Sequence, residues 1–353
     1  MVAKRFFAPD EFENKAEVDE FYKMVAEKDL QPLWTQKGLM LGEPPIRDVP
    51  FHWRWSDIKK LSERSGELIP IDRGGDRRVL SLTNPGLGGL PYASTTLWGA
   101  IQYLGPQEVA PAHRHSAAAL RFVVEGSGVW TLVNGDPVAM EPGDLVLTPN
   151  WTWHEHHNPG DTPMMWFDAL DLPLIRSVDA LFYEDGPDFM VNRLVDAVSS
   201  SELEFGGGAG LVPFDMEDEQ PNHSPLLAFR WKDTDRTLES LLSRRQDGYA
   251  ALRFSDPTNG KDVMPTMRCS MHRVAAGSEI SPRQTTGSSI WLTFAGSARV
   301  SVGESEFQLE HGDLFVVPSW ASMALSASEQ TDLFCVSDAP VLEALGLMRQ
   351  RKL

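Results

Sequence analysis

The sequence predicts an all-β protein made of two related β-barrel (jelly-roll) domains, with a helical arm before them and a helix-bearing linker between. Three observations predict it. From about Arg77 the chain breaks into short β-type runs separated by Gly, Pro and Asn-Gly turns. That texture fades near residue 176 and returns from Met264. Finally, Gly143-Asp-Leu-Val-Leu-Thr-Pro149-Asn-Trp151 reappears as Gly312-Asp-Leu-Phe-Val-Val-Pro318-Ser-Trp320. Phe122-Val-Val-Glu-Gly126 matches Leu292-Thr-Phe-Ala-Gly296, and Asp171-Leu-Pro-Leu matches Asp338-Ala-Pro-Val. One β domain has been duplicated at an offset of roughly 170 residues.

Residues 1–70 read as the helical arm. Val18, Phe21, Tyr22 and Val25 share one face of a helix that ends before Pro32. A second helix is expected from Ser56 as N-cap to a stop at Gly66. Residues 71–175 form the first barrel, with strands expected at Val79–Thr83, Thr96–Tyr103, Leu120–Val124, Val129–Val133 and Leu145–Thr148. Asn134-Gly135 is a type I′ hairpin signal. Residues 176–262 read as the linker, with a helix after Thr234 that carries Leu238, Leu241 and Leu242. The Gly206–Gly210 cluster within it lacks the spacing of a phosphate-binding loop and reads as flexible chain. Residues 263–353 form the second barrel.

Composition narrows the function. The chain has 353 residues, 42% of them apolar and 23% charged, an ordinary globular balance. A net charge of −18 makes nucleic acid or an acidic membrane surface a poor partner. Two cysteines, Cys269 and Cys335, are too few for a disulfide framework and fit a reducing compartment. The charged N-terminus lacks a signal-peptide apolar region, and no apolar run approaches the ~18 residues of a membrane span. The expectation is a cytoplasmic protein.

Five of the nine histidines fall between positions 113 and 157. On a strand, residues i and i+2 face the same side, so His113 and His115 point together, as do His154 and His156. His157 and Arg114 point away. Two strands that each present two histidines to one interior are how a barrel builds a metal site. The second copy carries Arg283, Thr285 and Met323 where the first has His113, His115 and His154. A barrel therefore forms without these histidines, and the second copy is expected to bind no metal there.

These spacings resemble the two cupin motifs, G-x5-H-x-H-x3–4-E-x6-G and G-x5-P-x-G-x2-H-x3-N. His113-x-His115, Ala119 and Gly126 follow the first with Glu replaced by Ala119; Gly143, Pro149, Trp151, His154 and Asn158 follow the second with Trp replacing Gly. The resemblance implies a bicupin whose second site is degenerate. Without the glutamate, three neutral imidazoles leave a divalent ion with about two uncompensated charges and about three open positions, which suits a chelating acid and oxygen chemistry. Arg121, two residues after Ala119, faces inward, and no acidic residue is expected to share that face, so a substrate carboxylate is its expected partner. Trp98, Ala100 and Gln102 alternate toward the same interior. Asp168 is expected to orient a histidine or an arginine, Arg77 is a weaker carboxylate contact, and Asp171, repeated as Asp338, reads as structural.

Over nearly the whole chain the sequence resembles gentisate 1,2-dioxygenases, with salicylate and 1-hydroxy-2-naphthoate ring-cleaving enzymes close by. His113-Arg-His-Ser-Ala-Ala-Ala-Leu-Arg-Phe122, Pro149-Asn-Trp-Thr-Trp-His-Glu-His156 and Asp168-Ala-Leu-Asp-Leu-Pro173 carry the resemblance. It implies one Fe(II) per subunit in the first barrel, held by His113, His115 and His154. It also implies a pocket of Arg121, His156, Trp98, Gln102, Ala100, Arg77 and Asp168, with His156 as base or hydrogen-bond donor and Arg121 on the carboxylate. The implied reaction converts gentisate and O2 to maleylpyruvate in aromatic catabolism by a homotetramer assembled through the N-terminal arms. Two rivals stand beside it: a salicylate or 1-hydroxy-2-naphthoate dioxygenase, and a cupin that binds a small acid without chemistry.

Overall fold

The computed structural model describes residues 14–36, 38–39, 41–71, 78–186, 198–208, 211–216 and 221–352. Arg77 and residues 209–210 of the glycine cluster lie outside the described residues. The chain divides at Pro45 into two compact units. In the first, the helix Lys15–Ala26 lies where the apolar spacing predicts. It buries no side chain fully: Val18, Tyr22 and Val25 are half-buried and Phe21 is exposed.

From Ile46 onward the chain forms two pairs of antiparallel sheets. In the first barrel, the six-stranded sheet runs in the spatial order Ala228–Phe229, Leu145–Thr148, Ala119–Glu125, Met164–Leu170, Trp98–Leu104, Val79–Ser81. Its five-stranded companion runs Tyr183–Asp185, Val109–His115, His154–His157, Trp130–Val133, Asp136–Ala139. The second barrel repeats the plan. Its six-stranded sheet is Phe51–Trp53, Leu314–Val317, Ser289–Ala295, Thr331–Ser337, Arg268–Val274, Tyr249–Arg253, and its five-stranded sheet ends on Glu279–Thr285 and Gln350–Lys352. The strands follow the expected positions closely because alternating apolar residues bury one face. The Asn134-Gly135 turn has both residues at positive φ, 49° and 88°, as a type I′ turn requires.

The edge strands show what the duplication built. Phe51–Trp53 precedes the first barrel yet pairs with Leu314–Val316 of the second, and Ala228–Phe229 precedes the second yet pairs with Leu145–Val146 of the first. The segment 176–262 thus supplies strands to three sheets, and residues 51–53 of the expected arm form the opposite edge of one of them, the six-stranded sheet that Tyr249–Arg253 also borders.

A helix follows each exchanged strand, and here the expected boundaries change. The helix expected at Ser56–Gly66 runs Trp55–Leu68, with Arg54 at its N-cap and no capping side chain of its own. The cap comes from the other barrel: Trp55 N donates to Asp313 Oδ1 at 2.8 Å, while His52 Nε2 lies 2.9 Å from Asp313 Oδ2. The equivalent helix, Trp231–Leu242, is capped by Asp144 Oδ1 at 2.8 Å, with Arg230 Nη1 donating to Oδ2 at 2.5 Å. Gly66 lies inside its helix because the ring of Tyr103 lies 2.6 Å from where a Cβ would be. A second exchange stands beside the first. Thr266 Oγ1 donates to Asp171 Oδ2 and Thr96 Oγ1 to Asp338 Oδ2, at 2.5 and 2.6 Å. Both aspartates also accept a backbone N–H within their own barrel, from Ala118 and Ser288. Phe122 stacks on Phe334 at 4.3 Å, so the two six-stranded sheets share one core.

Asp313→Ala removes a cap and the partner of His52, and should cost about 1–3 kcal/mol in chemical denaturation. Burial raises the Asp171 carboxyl from 3.8 to about 6, against the hydrogen bonds from Thr266 and Ala118. The folded state therefore holds this proton more tightly than the unfolded one. The resulting stabilisation is full below about pH 4 and is lost as pH rises through about 6, by at most about 3 kcal/mol. Asp171→Asn should reduce the measured decline between those limits.

Candidate active site

The two strands expected to carry the histidines are neighbours, and His113 pairs directly with His154. His113, His115 and His154 bring one ligand atom each to within 4.8 Å of the others. The backbone sets their tautomers. His113 Nδ1 lies 3.0 Å from Pro111 O, His115 Nδ1 2.7 Å from Ala117 O, and His154 Nδ1 3.0 Å from Thr152 O. A carbonyl only accepts, so each Nδ1 carries the hydrogen and each Nε2 a lone pair. His154 Nε2 is buried without a hydrogen-bond partner. Burial first, and then the charge of Arg121, holds the His154 pKa well below 6.5, which keeps the ring neutral. Three convergent imidazoles, one with an orphaned buried nitrogen, fit a transition metal of the Fe, Zn, Cu or Ni class.

The triad lines a cavity of about 270 Å³ together with Trp98, Gln102, Ala119, Arg121 and Asp168. Trp98 Nε1 donates to Ser81 Oγ at 3.2 Å, which fixes the indole against the neighbouring strand. Ala119, at the position of the glutamate in the resembled motif, lines the cavity with its methyl group. Ala100 is fully buried and does not line the cavity.

Arg121 corrects one expectation. Asp168 on the adjacent strand is its direct cross-strand partner, and cross-strand partners share a face. Arg121 Nε lies 3.4 Å from Asp168 Oδ1, while Nη1 donates to Thr148 Oγ1 at 2.7 Å. An internal carboxylate thus already balances part of the guanidinium charge. Both Asp168 oxygens accept from Trp166 Nε1 at 3.1 Å, yet burial still raises the carboxyl to about 6. No described group accepts from Arg121 Nη2, and the guanidinium borders the cavity.

His156 is buried beside the cavity rather than on its wall, with its ring centre 6.1 Å from that of His154. Its Nδ1 lies 2.8 Å from Thr131 Oγ1, a hydroxyl that donates to Met140 Sδ at 2.9 Å. That arrangement places the ring hydrogen on Nδ1 and a lone pair on Nε2, which has no hydrogen-bond partner. Burial, then Arg121, lowers its pKa well below 6.5.

Tyr183 is the wall residue that sequence reasoning missed. It lies on a three-residue strand paired with His115, and its ring stacks on His113 with centres 5.7 Å apart. Three residues are too few to show a strand period. Arg114 points outward as expected, donating to Glu184 at 2.7 Å with its guanidinium 4.4 Å from the ring centres of both Trp151 and Trp153. His157 also points away, its Nε2 3.2 Å from Glu155 Oε1.

Comparison with known proteins agrees with this geometry. Residues 100–170 match the family model described as a cupin domain. A gentisate 1,2-dioxygenase of Streptomyces sp is 52% identical over 94% of each chain. A 5-aminosalicylate 1,2-dioxygenase of Comamonas sp is 31% identical over 98% of this chain and 92% of its own. The structure of the salicylate 1,2-dioxygenase of Pseudoaminobacter salicylatoxidans, solved as adducts with gentisate, superposes with a TM-score of 0.92 at 45% identity, covering 98% of this chain and 97% of that one.

His154→Ala should lower metal affinity by more than about a hundredfold, read by elemental analysis of the purified protein. Thr131→Val, which alters only the setting of His156, should keep its metal.

Proposed function

The chain belongs to the gentisate 1,2-dioxygenase family of bicupin ring-cleaving dioxygenases, and from that premise we propose that its substrate is gentisate (2,5-dihydroxybenzoate). In this reading the ring opens between the carboxyl-bearing carbon and the adjacent hydroxyl-bearing carbon, giving maleylpyruvate in aromatic catabolism. The observation that carries it is the placing of the three-histidine cluster and the Arg121 guanidinium on one cavity.

His113, His115 and His154 would hold one Fe(II) per subunit. When bound, that ion supplies a redox-active Lewis acid that chelates an acid with a neighbouring hydroxyl and activates O2. The chain's own residues do the rest. Arg121 binds the substrate carboxylate through Nη2, while Asp168 and Thr148 hold the guanidinium in place. Trp98 flanks the ring, and Gln102 offers its amide to a ring hydroxyl. His156, neutral with an Nε2 that has no partner, is assigned as base for a substrate hydroxyl from its sequence position; its ring stands behind the cavity wall. Arg77 remains assigned to the substrate carboxylate from its sequence position alone. The apolar wall of Ala119 and Leu170 excludes water from the reacting face.

We assign the enzyme to the cytoplasm, supported by its two free buried cysteines and net charge. No helix of the described residues is long and apolar enough to cross a membrane. A homotetramer is supported by the exposed Phe21, Met24, Leu33 and Trp34 of the N-terminal unit. The non-enzymatic alternative is set aside by relatives that are dioxygenases over nearly their whole length. A salicylate or 1-hydroxy-2-naphthoate substrate is the second reading, favoured by the near-complete superposition on the salicylate enzyme.

O2 uptake by protein loaded anaerobically with Fe(II), given gentisate, salicylate and 1-hydroxy-2-naphthoate in parallel, tests the proposal. Uptake fastest with gentisate is expected. Equal or faster uptake with the monohydroxylated acids would install the second reading, and none with any acid would overturn both. Arg121→Gln should raise KM about 30- to 100-fold while bound iron stays unchanged.

A further inference from the structure

The second barrel keeps a cavity of about 350 Å³ at the equivalent place. Arg283 pairs with Met323 there as His113 pairs with His154, and both line the cavity with Thr285. On the facing sheet, Cys335 sits opposite Trp291 where Asp168 sits opposite Arg121, and His272 takes the place of Gln102. The duplication has therefore preserved the chamber and exchanged its contents. Among the described residues the only candidate metal cluster is in the first barrel.

The charge in this chamber is unbalanced. Tyr249 Oη bonds His272 Nδ1 at 2.6 Å, Ser270 Oγ lies 2.8 Å from His272 Nε2, and Trp291 Nε1 donates to Ser289 Oγ at 2.9 Å. All of these groups are neutral. Burial lowers His272 to about 3, lifts Cys335 to about 12 and raises Tyr249 above its usual value. Among the described residues no carboxylate lies within 4.0 Å of a nitrogen of Arg283. The two carboxylates of the rim are engaged elsewhere: Glu343 pairs with Arg268 at 2.7 Å, and Asp338 is bonded by Thr96 and Ser288. A guanidinium whose hydrogen-bond partner is the neutral Tyr249 hydroxyl, with no carboxylate beside it among the described residues, recruits an anion. The wall beside it is aromatic, with the rings of His272 and Trp291 centred 4.6 Å apart.

We propose that the second barrel is a binding site for a small planar carboxylate of the aromatic-acid class, anchored by Arg283 against Trp291 and needing no metal. It offers its ligand an anchor and an aromatic wall, and among the described residues no candidate metal cluster faces it. The inference does not depend on the first barrel's reaction.

Benzoate titrated calorimetrically into metal-free protein tests it. The wild type should show two binding events per chain. Arg283→Met should weaken one of them at least roughly tenfold, and Arg121→Met the other. Benzoate binding by Arg283→Met that is indistinguishable from wild type would overturn the proposal. Should that variant fail to fold, crystals of the wild type soaked with 4-bromobenzoate decide: a bromine anomalous peak in the second barrel supports the site, and its absence there overturns it.

Discussion

Asp144 and Asp313 each fasten the helix that leads into the opposite barrel, and the rest of the structure follows from that reciprocity. Each carboxylate sits just after a glycine, Gly143 or Gly312, held at positive φ with the indole of Trp231 or Trp55 against it. A Cβ at either glycine would lie 2.7 or 2.3 Å from that indole, so the Gly-Asp step shared by the two copies is both a turn and a dock. Once the helices are docked, the six-stranded sheets face one another across Phe122 and Phe334. The barrel interiors are left to chemistry.

This division explains how one copy lost its histidines while the fold persisted. The determinants shared by the copies lie in turns and in the contacts between barrels; the interior positions are the ones that differ. Trp151 and Trp320 illustrate it. Both stand where the resembled motif has glycine, and both adopt left-handed φ, 61° and 62°. That conformation costs a bulky residue about 1–2 kcal/mol. Each indole lies under an arginine, Arg114 at 4.4 Å and Arg351 at 5.1 Å, and such contacts return a comparable amount. Inside, Arg121 and Asp168 have become Trp291 and Cys335, so the demand for charge compensation differs between the two chambers.

Strand period and the repeat made the barrels legible in the sequence, and i, i+2 spacing placed His113, His115 and His154 together. What escaped has a common physical cause: it depends on contacts between segments far apart in the chain. The cap of Trp55–Leu68 comes from Asp313, which no local signal at Ser56 announces. Gly66 reads as a helix stop, but Tyr103 is the reason for it. Asp168 meets Arg121 across a strand pair, so reading the face of one strand alone missed the counter-ion. Tyr183 reaches the site from a segment that reads as linker.

We propose that the first barrel inserts both atoms of O2 into an aromatic hydroxy acid bound between the histidine cluster and Arg121. Oxygen-18 labelling tests it most directly. Turnover of gentisate under labelled O2, with the ring-opened product analysed at once by mass spectrometry, should give a product carrying both labelled atoms. A product carrying one labelled atom, or an unopened ring, would rule out dioxygenation at this site.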